Sequence, residues 1–169
     1  NEFVDKRFTP ARPSGSLKIA KDAKEHGTVH PKYDKADKLT KPVIGAAIEV
    51  HRQKGPGLIE SIYEKCLLRE LELQHIPAVN QLAVPVEYKG YTFEEPLRLD
   101  VIVDDCLILE LKAVQDILPV HKAQLLSYMK LLNMPIGLII NFYEPLLKNG
   151  IHRLVLNGAD TSSSRPSRS

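Results

Sequence analysis

Leu97-Arg98-Leu99-Asp100-Val101-Ile102-Val103, then Asp104-Asp105-Cys106, then Leu107-Ile108-Leu109-Glu110-Leu111-Lys112, is the stretch on which the reading of this chain turns. Side chains alternate across a strand, so Leu107, Leu109 and Leu111 on one face put Glu110 and Lys112 together on the other. By the same rule Leu97, Leu99, Val101 and Val103 share a face, and Arg98 and Asp100 take the opposite one. A three-residue loop of Asp104, Asp105 and Cys106 sets Asp100 directly across from Glu110. A two-residue loop would instead pair Asp100 with Leu109 and turn the acids to opposite faces. In the first register two carboxylates stand with Cβ atoms about 4.5 to 5.5 Å apart, where like charges destabilise the pair.

Working outward, residues 82–88 carry apolar side chains at every second position and contain Pro85, which suits a strand at a sheet margin. Lys89-Gly90 reads as a turn. Strands over 93–103 and 107–114 complete an antiparallel meander. Residues 118–133 return to a helical period through Ala123, Leu126, Met129 and Leu132. The continuous apolar run 136–142 then reads as a strand buried on both faces, in a central parallel position reached by a crossover helix. A last strand over 151–157 follows the turn at Asn149-Gly150. Upstream, Thr40 reads as an N-cap with Pro42 in the first turn of a helix ending near Gln53. Gly55-Pro56-Gly57 breaks it, and a second helix covers 58–74, with Ile59, Tyr63, Cys66, Leu67 and Leu71 on its apolar face. Glu60 falls beside that face and therefore needs a partner, since an unpaired buried charge costs several kcal/mol. The fold class expected is α/β, a mixed central sheet flanked by helices.

The chain of 169 residues is long enough for one substantial core. Residues 1–39 are rich in Pro, Lys, Asp and Gly and read as a disordered basic arm; 158–169 read as a disordered Ser/Arg tail; 40–157 form the domain. The net charge of +2 is uneven, because residues 41–158 hold 12 basic and 14 acidic side chains. Charge alone therefore excludes a generally basic nucleic-acid binder, and such a ligand requires a local patch or a cation. Cys66 and Cys106 lack metal-ligand spacing and read as buried free thiols. No apolar run reaches membrane-spanning length and no secretory leader is visible; the acids Glu2, Asp5, Asp22 and Glu25 argue against a mitochondrial presequence. An intracellular protein is expected, in cytoplasm, nucleoid or nucleus, without a membrane partner.

Two carboxylates held together repel unless a cation lies between them or one is protonated. Oxygen ligands select a hard cation, Mg²⁺ or Mn²⁺. Lys112 stands two residues beyond Glu110, where an ammonium orients an attacking water and stabilises developing negative charge. This suits phosphodiester hydrolysis. A polar sheet face crossed by ordinary ion pairs accounts for the same spacing.

Further motifs separate these readings. The strings Ile44-Gly45-Ala46-Ala47-Ile48-Glu49-Val50-His51 and Gly57-Leu58-Ile59-Glu60-Ser61-Ile62-Tyr63-Glu64 resemble the opening of the GxxExxY protein family, named for the pattern of Gly57, Glu60 and Tyr63. The likeness continues through Arg98-Leu99-Asp100, Leu109-Glu110-Leu111-Lys112-Ala113, Ala123-Gln124-Leu125-Leu126-Ser127-Tyr128 and Ile139-Ile140-Asn141-Phe142. That family is grouped with the PD-(D/E)XK nucleases. The resemblance implies a restriction-endonuclease-like αβββαβ core, with Asp100, Glu110 and the Leu111 backbone carbonyl as metal ligands, Lys112 as the catalytic lysine and Glu60 as a further acid that is itself a candidate metal ligand and catalytic group. Leu99 stands where the nominal motif has proline. Gln124 and Tyr128 resemble the Q-x-x-x-Y motif of nucleases related to bacterial recombination exonucleases, one turn apart on a helix. Gln124, Tyr128, His51 and His121 are candidate substrate contacts, and Gln124 is a candidate catalytic residue as well. A satisfied structural or surface role is the preferred reading of His51 and a solvated role that of His121, Tyr63 reads as core packing, and Gly57 as the backbone device that starts the helix.

The function expected is a Mg²⁺ or Mn²⁺ dependent nuclease acting on nucleic acid, with DNA as first choice, and a homodimer remains open. A nucleic-acid or protein-binding module without turnover is the alternative, though it has no need of paired acids near phosphate. A hydrolase of small molecules is a third reading.

Overall fold

A computed structural model describes residues 29–160; the arm before residue 29 and the tail after residue 160 lie outside the described residues. The elements, in order, are α1 (Tyr33–Lys54), α2 (Glu60–Leu73), β1 (Ala78–Val84), the short strands β2 (Glu87–Tyr88) and β3 (Tyr91–Thr92), β4 (Leu97–Val103), β5 (Leu107–Lys112), α3 (Pro119–Leu132), β6 (Ile136–Asn141), a 3-10 turn (Leu147–Gly150) and β7 (Ile151–Val155). Five strands form one sheet in the order β1-β4-β5-β6-β7. β1, β4 and β5 are the expected antiparallel meander, with β1 at the margin. β6 lies parallel to β5 through the α3 crossover, and β7 closes the sheet antiparallel to β6.

The hairpin takes the register that alternation required: Val103 faces Leu107, Ile102 faces Ile108 and Val101 faces Leu109 across the loop Asp104, Asp105, Cys106. Asp104 and Asp105 adopt left-handed φ values of 45° and 55°, a conformation that short polar side chains tolerate better than most. Lys32 and Lys35 fasten the loop to the start of α1: Lys32 Nζ donates to the Asp105 carbonyl at 2.8 Å and Lys35 Nζ to the Asp104 carbonyl at 2.9 Å.

Two apolar layers sandwich the sheet. Val43, Ala46, Val50, Tyr63 and Leu67 of α1 and α2 pack on Val101, Leu109, Leu111, Leu138 and Ile140; Leu125 and Met129 of α3 pack on Ile102, Ile108 and Ile139. Each fully buried aliphatic side chain contributes about 1.5 to 3 kcal/mol. β6 is buried throughout, as a central strand covered on both faces must be.

Several boundaries differ from the sequence reading. α1 starts at Tyr33, so residues 33–39, read as arm, are helical, and Pro42 sits inside the helix. Thr40 is not an N-cap; its hydroxyl donates to the Asp37 carbonyl at 2.7 Å. This first part of α1 is held by tertiary contacts, among them Arg153 Nη2 to Asp37 Oδ1 at 2.8 Å. The first strand begins at Ala78 and ends before Pro85, whose missing N–H cannot continue a ladder. Residues 87–92 form a separate two-stranded hairpin instead of extending β1 and β4.

The alternation of β4 is also broken. Leu97 and Leu99 pack on the α3 side, whereas Val101 and Val103 face α1 and α2. Gln81 lies between the pairs Asn80–Val101 and Leu82–Leu99, opposite Asp100, and has a φ of +50°. In β1, Ala78 and Val84, the two ends of a strand of 7 residues, likewise pack on opposite sides although alternation would put them on one face. Both strands therefore turn over at the Gln81–Asp100 position, so that Leu97 and Leu99 do not share a face with Val101 and Val103 as expected.

Candidate active site

The ladder between β4 and β5 stops at Val101–Leu109. One residue further, the side chain of Asp100 replaces the missing backbone contact: its Oδ2 accepts the Leu111 N–H at 2.8 Å. The N–H and C=O of one strand residue point to the same side, so the Leu111 carbonyl opens into this fork as well. The Lys112 carbonyl points the other way and accepts the Phe142 N–H of the β6 side at 2.8 Å.

Glu110, opposite Asp100 in the extrapolated register, is only 5% exposed, and its Oε1 has no hydrogen-bond partner. Burial and the adjacent Asp100 charge push its carboxyl up to about 8, against the pull of Lys112. Burial also raises Asp100, opposed by the Leu111 amide and Lys112. Glu60, the first residue of α2, is half-buried and likewise raised by burial; Lys112 and the Ala113 amide draw it down while Asp100 pushes it up. Lys112 is thus the cation shared by three acids. Among the described residues it closes no ion pair with any of them, which leaves the ammonium available.

α3 supplies the other wall. Tyr128 is 7% exposed, and its phenol is raised by burial and then by Glu110 and Asp100. Gln124 Nε2 donates to Tyr128 Oη at 2.9 Å, so the two act as one unit across a helical turn. His121 lies one turn before Gln124 on the same stripe, with its Nδ1 accepting the Leu118 N–H at 3.0 Å across the first turn of α3. His51 is engaged elsewhere: its Nε2 lies 2.7 Å from the Glu144 carbonyl oxygen, joining the end of α1 to the loop after β6. That contact gives His51 a structural role.

The fork fits a hard divalent cation in its donor set. Asp100, Glu110 and the Leu111 carbonyl offer oxygen alone, and a buried carboxylate oxygen without a partner calls for a cation or a proton. Among the described residues no three His, Cys, Asp or Glu side chains are grouped to hold a metal unaided. A cation held here would have to draw its remaining ligands from outside these side chains, a mode typical of Mg²⁺.

Two supports escaped the sequence reading. Glu64, one turn after Glu60, receives Asn80 Nδ2 at 2.8 Å and Gln81 Nε2 at 2.7 Å, so α2 holds the point where β1 turns over opposite Asp100. Asn141 is fully buried at the end of β6. Its signal is legible in retrospect, as the one strongly polar side chain in an apolar central strand. Tyr63 is core, as expected, but with a second duty: its ring stacks on Phe142 at 4.4 Å, and its hydroxyl donates to the Gly55 carbonyl at 2.5 Å and accepts the Leu58 N–H at 3.1 Å. With Gly57 at φ +101° the tyrosine closes the loop that delivers Glu60, which accounts for the Gly57, Glu60, Tyr63 spacing.

A paired-acid fork at the end of a central strand, with an ammonium two residues beyond the second acid, defines the class, and comparison with known proteins agrees. The family model of the PD-(D/E)XK nuclease superfamily matches residues 37–154, and the chain belongs to that superfamily. Its members are typically nucleases, which generally use divalent metals and act on nucleic acid. No curated protein matches the chain. A solved structure described as the crystal structure of SSO0001 is similar at 17% identity and a TM-score of 0.42, over 80% of this chain and 69% of that one. No helix among the described residues is long and apolar enough to cross a membrane.

Proposed function

We propose that this chain is a Mg²⁺ or Mn²⁺ dependent nuclease of the GxxExxY group that hydrolyses phosphodiester bonds of DNA, inside the cell, at the fork between β4 and β5. The observation that carries the reading is the buried, unpartnered Oε1 of Glu110 next to the Asp100 carboxylate. A fold gains nothing from confining two acids there, because without a cation either they repel or one keeps a proton far above the ordinary glutamate range, and both cost stability at neutral pH. Asp100, Glu110 and the Leu111 carbonyl hold the metal, and Glu60 supplies a further acid on the opposite wall. When bound, the metal supplies Lewis-acid stabilisation of the phosphate and a lowered pKa for water. Lys112 Nζ donates hydrogen bonds to the attacking water and to the phosphate oxygen on which charge develops. Asp100 keeps its orientation through the Leu111 N–H. Gln124 and Tyr128 orient the strand to be cut, with Tyr128 Oη fixed by Gln124 Nε2, and His121 contacts phosphate from the start of α3.

The test is incubation of the protein with single-stranded, duplex and circular DNA and with RNA, in Mg²⁺, Mn²⁺ or EDTA. Cleavage of DNA is expected only with metal. Glu110→Ala and Lys112→Ala should each lower it by about a thousandfold, the scale of losing a charge-stabilising group at the reacting centre. Cleavage that survives in both variants assigns the activity to another site or to a contaminant.

A further inference from the structure

Beyond Lys112 the main chain leaves the sheet, and a lysine at a fraying strand end would be poorly placed for chemistry. The ladder between β5 and β6 runs as far as Lys112–Asn141. At that point the fully buried Asn141 carboxamide takes over from the backbone: Nδ2 donates to the Val114 carbonyl at 2.8 Å, and Oδ1 accepts the Val114 N–H at 3.1 Å and the Tyr143 N–H at 3.3 Å. One side chain thus grips both polar groups of Val114 as another strand would. The next residue, Phe142, stacks on Tyr63, whose hydroxyl holds the loop that leads to Glu60. Asn141 and Phe142 together join the two walls of the site, the lysine side through a carboxamide and the α2 side through a ring.

We propose that Asn141 is a positioning residue which fixes the segment leaving β5 and so holds the Lys112 ammonium and the Ala113 amide against the acids. A leucine of similar size would fill the space, and a buried amide is unfavourable unless its hydrogen bonds are made; the three bonds all serve chain that flanks the site. This deepens the nuclease reading and rests on it for the catalytic consequence only.

The experiment compares wild type with Asn141→Asp and Asn141→Leu. Amide exchange at Val114 should accelerate at least tenfold in Asn141→Leu, which removes its acceptor, and less in Asn141→Asp, which keeps an oxygen there but loses the donor to the Val114 carbonyl, while Leu109, Leu138 and Ile140 stay protected, which shows the sheet intact. Metal-dependent cleavage should fall at least tenfold in kcat with KM changed less than twofold, and the rate at which Lys112 is labelled by an amine-acylating reagent should change at least threefold. Unchanged kcat with accelerated Val114 exchange, or unchanged exchange, overturns the proposal. If wild type cleaves no substrate, the nuclease reading fails on its own, and an unaltered Lys112 labelling rate then overturns the positioning role separately. Should the variants not fold, wild type decides: Asn141 carboxamide protons and the Val114 amide that exchange as freely as in an exposed loop contradict the proposal.

Discussion

Glu110→Gln is expected to raise the melting temperature of the metal-free protein at pH 9 by about 5 °C or more, and to change it little at pH 5. The glutamic acid of the folded chain titrates near 8 instead of its ordinary 4.5, because it is buried beside Asp100. Between those values the folded state keeps a proton that the unfolded state has released, so stability falls by about 1.4 kcal/mol per pH unit from this group. It is fully present below the unfolded value and has been lost once pH has risen through the folded one. Glutamine has no such loss, so the advantage of the variant grows from pH 5 to 8 and then levels. Sharing with Asp100, itself raised, spreads the transition over a wider range. Thermal melts in EDTA at pH 5, 7 and 9 check it. A variant that is more stable without metal and inactive with it is what a site kept for function should give.

Gly150→Ala is expected to destabilise the domain by about 3 kcal/mol, a fall of roughly 10 °C in melting temperature. A Cβ at Gly150 would lie 2.5 Å from the Asn141 carbonyl oxygen, 2.9 Å from Glu144 Cγ and 3.2 Å from Asn141 Cβ. The first of these atoms belongs to the backbone of the central strand and has no room to yield. Strain there also pushes on the residue whose side chain holds Val114. Urea unfolding, read as a lowered midpoint with unchanged slope, measures the loss. Gly45→Ala is the matched control, since a Cβ at that helical position meets nothing within 4 Å; helix propensity predicts a gain of about 0.5 to 1 kcal/mol.

The hairpin was legible because alternation is a strict rule with only two registers to choose between, and the loop length chose one of them. β6 was legible because a strand covered on both faces cannot hide its apolar run. The start of α1 was not: Tyr33, Asp37 and Thr40 are held by Arg153, 120, 116 and 113 residues away, and no local pattern reports such contacts. The turnover at Asp100 escaped for a related reason. Alternation assumes an unbroken pleat, and the break depends on Gln81 of a neighbouring strand adopting a left-handed conformation while Glu64 holds its amide. Of the candidate site residues, Asp100, Glu110 and Lys112 followed from strand geometry, whereas Glu60, Gln124 and Tyr128 came from family likeness. The structure sets Glu60 and Tyr128 where both sense the Asp100 charge and ties Gln124 to Tyr128. For His51 a structural role was the preferred reading, but its partner, the Glu144 carbonyl 93 residues away, leaves no trace in local sequence.

The central claim is that the fork between β4 and β5 binds a divalent cation through its two acids. Calorimetric titration of Mn²⁺ into the full chain at pH 7.5 tests it most directly. Binding at the fork is expected in wild type, weakened at least about tenfold in Asp100→Asn and in Glu110→Gln, and retained in Gln124→Ala, whose side chain bonds to Tyr128 instead of to the acids. Equal Mn²⁺ affinity in wild type and both acid variants, or no binding by wild type, would contradict the account.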